Sequence, residues 1–194
     1  MEKMDVIIVG GGLAGMSAAL TISYSGYDVY LVEQEAELGG MARQVHYTLE
    51  GHDMQAYLEY LIDQVENRPH IKVLKSTRVK TFSGHVGKFR STLVGPQGEQ
   101  EIEYGAAIIA TGGVEYRPRE YLYGEDPRVL TQLELGDLLH RSPGETAAWD
   151  RVFFIQCVGS RDKRFHEYCC RVGCMVTLKQ AILAREQIHE DVKI

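Results

Sequence analysis

The stretch Val6-Ile-Ile-Val-Gly10-Gly-Gly12-Leu-Ala-Gly15 determines the fold predicted for the first half of this 194-residue chain. Its apolar run, Val6 to Val9, is short and mostly β-branched, which predicts a strand buried on both faces. The run stops at Gly10, and the three numbered glycines have the spacing of a dinucleotide-binding fingerprint. We expect a helix from Leu13 to about Tyr24, whose amino-terminal N–H groups and positive dipole end would face a phosphate group.

Each glycine of the fingerprint has a physical task. Gly10 permits a tight turn, Gly12 lets the backbone approach a pyrophosphate, and Gly15 lets the helix pack close to the strand. A second strand is predicted from Tyr27 to Val32 and ends at Glu33, 18 residues beyond Gly15. An acidic side chain at this place can accept hydrogen bonds from an adenosine ribose. The order of these elements predicts a nucleotide-binding unit, and the alternative is a tight turn with a solvated Glu33.

Composition and charge limit the classes of function. The chain has 44% hydrophobic and 25% charged residues, which is typical of soluble globular proteins. Its net charge of −6 argues against nucleic acid or an anionic membrane as the main partner. No signal peptide is visible, and the longest apolar stretch is too short to span a bilayer. We therefore expect a cytoplasmic protein that is not an integral membrane protein.

A glycine pair, Gly39-Gly40, follows Glu33 closely. In many FAD enzymes such a pair lets the chain pass close to the extended cofactor, and a simple loop turn is the alternative. Arg43 is expected either to reach a phosphate or the flavin edge, or to stay solvated. A later element, Ala110-Thr111-Gly112, follows a predicted buried strand from Ala106 to Ile109. This element is the usual second mark of flavoproteins with two dinucleotide-binding domains.

The segment between these two marks supplies the rest of the first predicted domain, residues 1–115. Asp53 is the predicted cap of a helix that reaches about Asn67, and Ile71 to Leu74 is the predicted third parallel strand. Glycine turns then separate three short segments that predict an antiparallel β-meander, at about Arg78–Phe82, Lys88–Val94 and Glu101–Tyr104. Val79, in the first of them, lies where such folds often hold adenine; an ordinary strand valine is the alternative.

The second half is predicted as a linker, residues 116–150, and the start of another Rossmann-like domain, residues 151–194. The linker contains a helix from the cap Thr131 to about Leu139, ended by Ser142-Pro143-Gly144. The domain begins with a predicted buried strand, Val152 to Gln156. A helix from about Val172 to Gln187 and a strand starting at Asp191 follow. Only Gly159 lies in the loop after the first strand, so a standard pyridine-nucleotide site is not expected there.

All four cysteines, Cys157, Cys169, Cys170 and Cys174, lie within 18 residues. A disulfide framework would spread them over the fold, so the grouping favours a metal or redox site in a reducing compartment. Four thiolates match the ligand number of a [4Fe-4S] cluster. Structural zinc, a dithiol/disulfide pair and inert buried thiols remain open as alternatives. Cys170 and Cys174 are one helical turn apart and can face the same way. Positive side chains could offset the charge of a cluster: Arg161, Lys163, Arg164 and Arg171.

Two further segments make the pattern specific: Cys157-Val-Gly-Ser-Arg-Asp, and Tyr168-Cys-Cys-Arg-Val-Gly-Cys-Met ahead of Leu178-Lys-Gln-Ala. Together with the fingerprint they resemble the heterodisulfide reductase A family and its relatives in quinone-interacting oxidoreductase complexes. The resemblance runs from Asp5 to about Ala184 and implies a thioredoxin-reductase-like FAD fold. Ferredoxin-type Cys-x-x-Cys-x-x-Cys runs of the long members are absent, and the second half of the flavin fold is not reached. A fragment or a truncated member is therefore expected.

The resemblance implies a cofactor set and a function. FAD would be bound by the fingerprint glycines, Glu33 and the Ala110-Thr111-Gly112 turn, and the four cysteines would hold a [4Fe-4S] cluster near the flavin. The implied fold class is α/β, a Rossmann-like FAD-binding domain with an inserted meander, followed by the start of a second such domain. The implied function is an FAD-dependent oxidoreductase that passes electrons between cluster and flavin, active within a complex of redox subunits. A homodimer is also compatible with this pattern.

Two other functions stay open: a pyridine-nucleotide-dependent disulfide reductase, and a non-catalytic binding or assembly module without a cofactor. No acid–base catalyst is identifiable from the sequence. The predicted metal ligands are the four cysteines. The predicted cofactor-binding residues are Gly10, Gly12, Leu13, Ala14, Gly15, Glu33, Gln34, Gly39, Gly40, Met41, Arg43, Val79, Ala110, Thr111 and Gly112.

Overall fold

The computed structural model describes residues 4–188 and 192–194, without the side chain of Pro143. The chain forms two compact units, and each is built from two separate pieces of sequence. Unit 1 consists of residues 4–43 and 55–113, and unit 2 consists of residues 44–54, 114–188 and 192–194. The division into residues 1–115, 116–150 and 151–194 made from the sequence stays a proposal.

Unit 1 contains a four-stranded parallel sheet. Its strands are β1 (Val6–Val9), β2 (Val29–Val32), β3 (Ile71–Leu74) and, in our numbering, β7 (Ala106–Ile109). The strand order is β3-β2-β1-β7, so β1 lies inside the sheet between β2 and β7. The carboxyl ends of β1 and its two neighbours therefore meet at one edge, which is where open α/β sheets bind ligands.

A three-stranded antiparallel sheet is inserted before β7, as the sequence predicts. Its strands are β4 (Arg78–His85), β5 (Lys88–Gly95) and β6 (Gly98–Tyr104). One face of this meander packs on the parallel sheet through a buried cluster of Ile7, Val32, Leu93, Ile102 and Tyr104. Inside the cluster region the hydroxyl groups of Ser91 and Tyr104 lie 2.6 Å apart and form a buried hydrogen bond. This bond satisfies two polar groups that would otherwise be costly to bury.

Two helices complete unit 1. Helix α1 (Leu13–Tyr24) packs against β1, β2 and β3, and its buried residues are Gly15, Met16, Ala19 and Ser23. Helix α2 (Met54–Glu66) buries Met54, Leu58, Leu61 and Val65, which recur at the spacing of one helical face. Both helices and the apolar stripe of α2 agree with the sequence prediction.

Unit 2 is built around α3 (Gln132–Arg141) and α5 (Gly173–Gln187), with a one-turn helix α4 (Pro143–Thr146) between them. Helix α3 begins with a capping box: the Thr131 hydroxyl accepts from the Glu134 amide, and the Glu134 carboxylate accepts from the Thr131 amide. A core of Leu135, Leu139, Ala184, Ile188 and Val192 joins the helices. Helix α3 runs two residues further than predicted, and Ser142-Pro143-Gly144 begins α4 instead of a loop.

A β-hairpin from the first half of the chain belongs to unit 2. Tyr47 and Asp53 form an antiparallel bridge, and the Thr48 amide donates to the His52 carbonyl. His46 Nε2 lies 3.1 Å from Asp137 Oδ1, and its ring stacks on His140 with centroids 3.9 Å apart. Lys179 donates to the Tyr47 carbonyl, and burial lowers the pKa of this lysine. The hairpin is therefore fixed by polar contacts to both α3 and α5.

Three predicted strands need correction or comment. β7 is not buried: the Ile109 side chain is 70% exposed, because β7 is an edge strand of the described sheet. Val152 to Gln156 is not a buried strand either, since Phe153 is 83% exposed. Pairing in this region is a parallel bridge between Arg151 and Lys193, and one bridge does not make a strand. Asp191, the predicted start of the last strand, lies outside the described residues.

Candidate cofactor site

The glycine loop connects β1 to α1, and its backbone is closely packed. Gly10 has a φ of +111°, and a Cβ added there would lie 2.2 Å from the Ala110 carbonyl oxygen. A Cβ on Gly15 would lie 1.8 Å from the carbonyl oxygen of Gly10. A Cβ on Gly11 would lie 2.5 Å from Leu38 Cδ2. Glycine is therefore required at these three positions by the packing of the protein itself.

Gly12 differs from these neighbours because the space around it is open. A Cβ added to Gly12 would meet no atom within 4 Å, and the backbone has an ordinary φ of −77°. Gly12 is the cap residue of α1, no side chain caps this helix end, and the first turn carries no acidic residue. Leu13 and Ala14 form the start of that turn. The helix thus presents amino-terminal N–H groups toward open space, which is the arrangement that binds an anionic pyrophosphate.

Glu33 lies at the carboxyl end of β2 and is 7% exposed. One carboxylate oxygen accepts from the Gly11 amide at 2.7 Å, and the other accepts from the Glu35 amide at 2.9 Å. Each oxygen has further acceptor capacity. Glu33 therefore fixes the glycine loop in addition to the ribose contact predicted for it. Gln34, the next predicted residue, is exposed.

The loop of residues 33–43 lies against the glycine loop. The Gly39 amide donates to the Gly11 carbonyl at 2.8 Å, and Gly12 and Gly39 form a parallel bridge. Gly39 and Gly40 have φ values of +116° and +53°, so this turn requires glycine-type conformations. Met41 is 40% exposed. The structure thus brings the predicted glycine pair next to the predicted phosphate-binding glycines.

Arg43 is held inside this same loop. Its Nε donates to the Leu38 carbonyl at 2.5 Å, and its Nη1 pairs with Glu37 Oε2 at 2.9 Å. Sequence reasoning treated Arg43 as a cofactor ligand or a solvated side chain and did not identify Glu37, Leu38 or Gly11. The consecutive glycines Gly10-Gly11-Gly12 were the signal that could have pointed to Gly11.

The turn after β7 reaches the glycine loop as well. The Ala110 amide donates to the Val9 carbonyl at 2.8 Å, and Ala110 lies against Gly10. Thr111 and Gly112 are exposed, and Gly112 has a φ of +67°. Val79 is placed differently: it is half-buried and packs on the core between the two sheets. Apart from Val79, the predicted FAD residues lie on the loops that follow β1, β2 and β7.

The four cysteines lie in unit 2, on a loop and the first turn of α5. Cys157 has a φ of +60°, and the following loop is held by hydrogen bonds from the Arg161 amide to the Tyr168 carbonyl and from the Asp162 amide to the His166 carbonyl. Arg164 pairs with Asp162 and holds the pKa of that carboxyl at about 2. This arginine is thus engaged within the loop.

Cys170 lies just before α5, not on it, because Arg171 has a φ of +63° and the helix begins at Gly173. The expectation that Cys170 and Cys174 lie on one helix is therefore wrong. The Cys170 sulfur accepts from the Gly173 amide at 3.3 Å, and backbone N–H groups of Gly173 and Val172, with the Ser160 hydroxyl, lower the pKa of this thiol. Cys169, Cys170 and Cys174 are exposed.

All four thiols are free. Their number and chemistry match a metal cluster, but the arrangement does not yet form one: within residues 4–188 and 192–194, no three His, Cys, Asp or Glu side chains are grouped to hold a metal ion. Cluster binding would need the cysteine sulfurs to converge.

Comparison with known families identifies the fold. The family profile described as pyridine nucleotide-disulphide oxidoreductase matches residues 4–146, which include the glycine loop, the meander and β7. The chain belongs to this family. The FAD-type Rossmann-like fold is thereby confirmed, and membership places the chain among the FAD-dependent oxidoreductases.

Individual relatives refine this result. The chain is similar to the A component of the ferredoxin/F420H2-dependent CoB-CoM heterodisulfide reductase of Methanosarcina acetivorans, at 27% identity over 94% of this chain and 35% of the relative. It is also similar to the first iron-sulfur A component of the CoB-CoM heterodisulfide reductase of Methanopyrus kandleri, at 26% identity over 96% of this chain and 42% of the relative. The resemblance to the heterodisulfide reductase A family is confirmed.

Among solved structures, L-proline dehydrogenase from P. horikoshii has a TM-score of 0.51 and 27% identity, over 56% of this chain and 22% of that chain. The chain spans about a third to two fifths of the length of the curated relatives that it matches. No helix within the described ranges 4–188 and 192–194 is long and apolar enough to cross a membrane.

Proposed function

We propose that this pyridine nucleotide-disulphide oxidoreductase binds FAD on its glycine loop and acts as an electron-transfer component of the heterodisulfide reductase A type. The observation that carries the proposal is the open space at Gly12. A Cβ at Gly10, Gly11 or Gly15 would collide with the protein, whereas a Cβ at Gly12 would enter empty space at the uncapped end of α1. Packing requires glycine at the first three positions, and ligand access is the reason for glycine at the fourth.

The chain's own residues have distinct parts in this proposal. The amino-terminal N–H groups of α1 bind the pyrophosphate, since no side chain competes for them. Glu33 fixes the Gly11 amide and retains acceptor capacity for ribose hydroxyl groups. The turns at Gly39-Gly40 and Ala110-Thr111-Gly112 line the approach to the loop. When bound, FAD supplies the exchange between one- and two-electron chemistry.

The test is anaerobic purification followed by FAD titration of the stripped protein. Binding should show the two visible absorption bands of an oxidised flavin and a stoichiometry of about one FAD per chain. A colourless, folded protein that takes up no FAD would contradict the proposal and favour the module without a cofactor.

The iron–sulfur cluster is proposed as a second cofactor. The four cysteines supply the ligand number of a [4Fe-4S] cluster, and the name of the Methanopyrus kandleri relative includes the term iron-sulfur. The Gly173 amide already stabilises the anionic form of Cys170, which a cluster ligand needs. Redox subunits like those of the relatives are the proposed partners; the cytoplasmic location and the homodimer stay predictions.

Cluster reconstitution separates the three chemistries that the cysteines allow. We expect about four iron and four sulfide per chain after anaerobic reconstitution, and loss of this content in each of Cys157→Ala, Cys169→Ala, Cys170→Ala and Cys174→Ala. Zinc would instead give a colourless protein with one metal ion and no sulfide. A dithiol/disulfide pair, which the lowered pKa of Cys170 also favours, would make two substitutions abolish redox activity and leave two silent. Absence of sulfide in the reconstituted protein would refute the cluster.

A further inference from the structure

Arg43 uses two of its three guanidinium nitrogens inside the 33–43 loop. Its Nε donates to the Leu38 carbonyl, which lies immediately before the glycine pair, and its Nη1 pairs with Glu37. The stem of Arg43 also lies along the turn, since its Cγ would be 3.1 Å from a Cβ on Gly39. A planar guanidinium group can hold a carbonyl and a carboxylate at once, which a single ammonium group does less well.

The carbonyl that Arg43 holds belongs to the residue that fits into the glycine loop. Leu38 is 1% exposed, and its side chain lies against Gly11. The next residue, Gly39, donates its amide to the Gly11 carbonyl, and Gly40 follows close to Gly12. Because Gly39 and Gly40 both have positive φ values, the turn has much conformational freedom to lose, and a fixed carbonyl on its amino-terminal side restricts it.

We infer that Arg43 is a positioning residue for the FAD site: it holds the turn at Gly39-Gly40 against the phosphate-binding loop and does not itself bind the phosphate. Glu37 is its partner in this task. The inference rests on the proposed FAD function, but its physical content, an ordered loop, concerns the protein without FAD as well.

The first test measures amide hydrogen exchange of residues 34–44 in the FAD-free protein. Arg43→Met keeps the length of the stem and removes both polar contacts, so exchange in this segment should become about tenfold faster. Arg43→Lys should restore little of this protection. Unchanged exchange in Arg43→Met would overturn the inference, and this readout does not depend on whether FAD binds.

The second test uses Glu37→Gln, for which the two roles of Arg43 predict opposite signs. If Arg43 positions the loop, neutralising Glu37 loosens it and raises the Kd for FAD about two- to fivefold. If Arg43 binds phosphate directly, removal of a competing carboxylate makes FAD bind more tightly, and the inference fails. Wild-type protein that binds no FAD would refute the proposed function, while the exchange experiment would still decide the role of Arg43.

A matched pair elsewhere in unit 1 provides the control. Arg90 and Glu103 form an exposed ion pair on the meander, with side-chain exposures of 58% and 71% against 40% and 67% for Arg43 and Glu37. Arg90→Met and Glu103→Gln should change neither the exchange of residues 34–44 nor the Kd for FAD. An equal effect in this pair would show that the result reflects general destabilisation and would overturn the inference.

Discussion

Gly12→Val is expected to weaken FAD binding at least about a hundredfold, equivalent to about 2.7 kcal/mol, while the protein stays folded. The branched side chain would occupy the open space at the end of α1 where the pyrophosphate must lie. Valine is a poorer helix cap than glycine, so we expect a loss of about 1 kcal/mol in the free energy of unfolding. Titration of the FAD-free variant with FAD, beside its thermal unfolding curve, measures both effects.

Gly12→Ala is the graded control for this substitution, because a single methyl group enters the same space with less intrusion. Its affinity for FAD should fall between those of the wild type and the valine variant. Retention of FAD by Gly12→Val at the wild-type affinity would show that the helix end does not bind the pyrophosphate.

Gly15→Ala should have the opposite profile, because it damages the fold itself. The added Cβ would lie 1.8 Å from the Gly10 carbonyl oxygen, and both groups belong to backbone that β1 and α1 hold in place. We expect a loss of about 3 kcal/mol or more in the free energy of unfolding. For a chain of this length, that loss corresponds to a fall of about 6–12 °C in Tm. Calorimetry of the FAD-free protein measures it.

Ser17→Ala is the matched control, since Ser17 lies on the exposed side of the same helix. Its unfolding free energy should stay within about 0.5 kcal/mol of the wild type. If Gly15→Ala unfolded at the same temperature as Ser17→Ala, the close approach of α1 to the glycine loop would not exist in solution.

The regular elements of unit 1 were predictable because their signals are local. Four β-branched residues before a glycine, the stripe of α2 and glycines at the meander turns each indicate their element within a few positions. The ends of α1 and β3 agree with the sequence prediction. The Thr131–Glu134 capping box likewise marks the start of α3 by residues only three apart.

The internal duties of charged residues were not predictable in the same way. That both oxygens of Glu33 hold backbone amides, and that Arg43 holds the Leu38 carbonyl, depends on how the 33–43 loop folds back on the glycine loop. A pattern of residue types identifies a carboxylate near a ribose site, but it does not say how many protein donors reach that carboxylate first. The cysteine segment failed for a related reason, since the positive φ of Arg171 delays the start of α5.

The hairpin of residues 46–54 has a consequence for the order in which the chain can fold. His46 contacts a residue 91 positions later, and Tyr47 contacts one 132 positions later. Closing such long loops costs entropy before any contact forms, although each doubling of length adds only about 0.6 kcal/mol. During synthesis the hairpin therefore waits for α3 and α5 to leave the ribosome, while β1 and α1 can already form. A polypeptide starting at Val114 would hold both helices but lack the strand pair that they are built to receive.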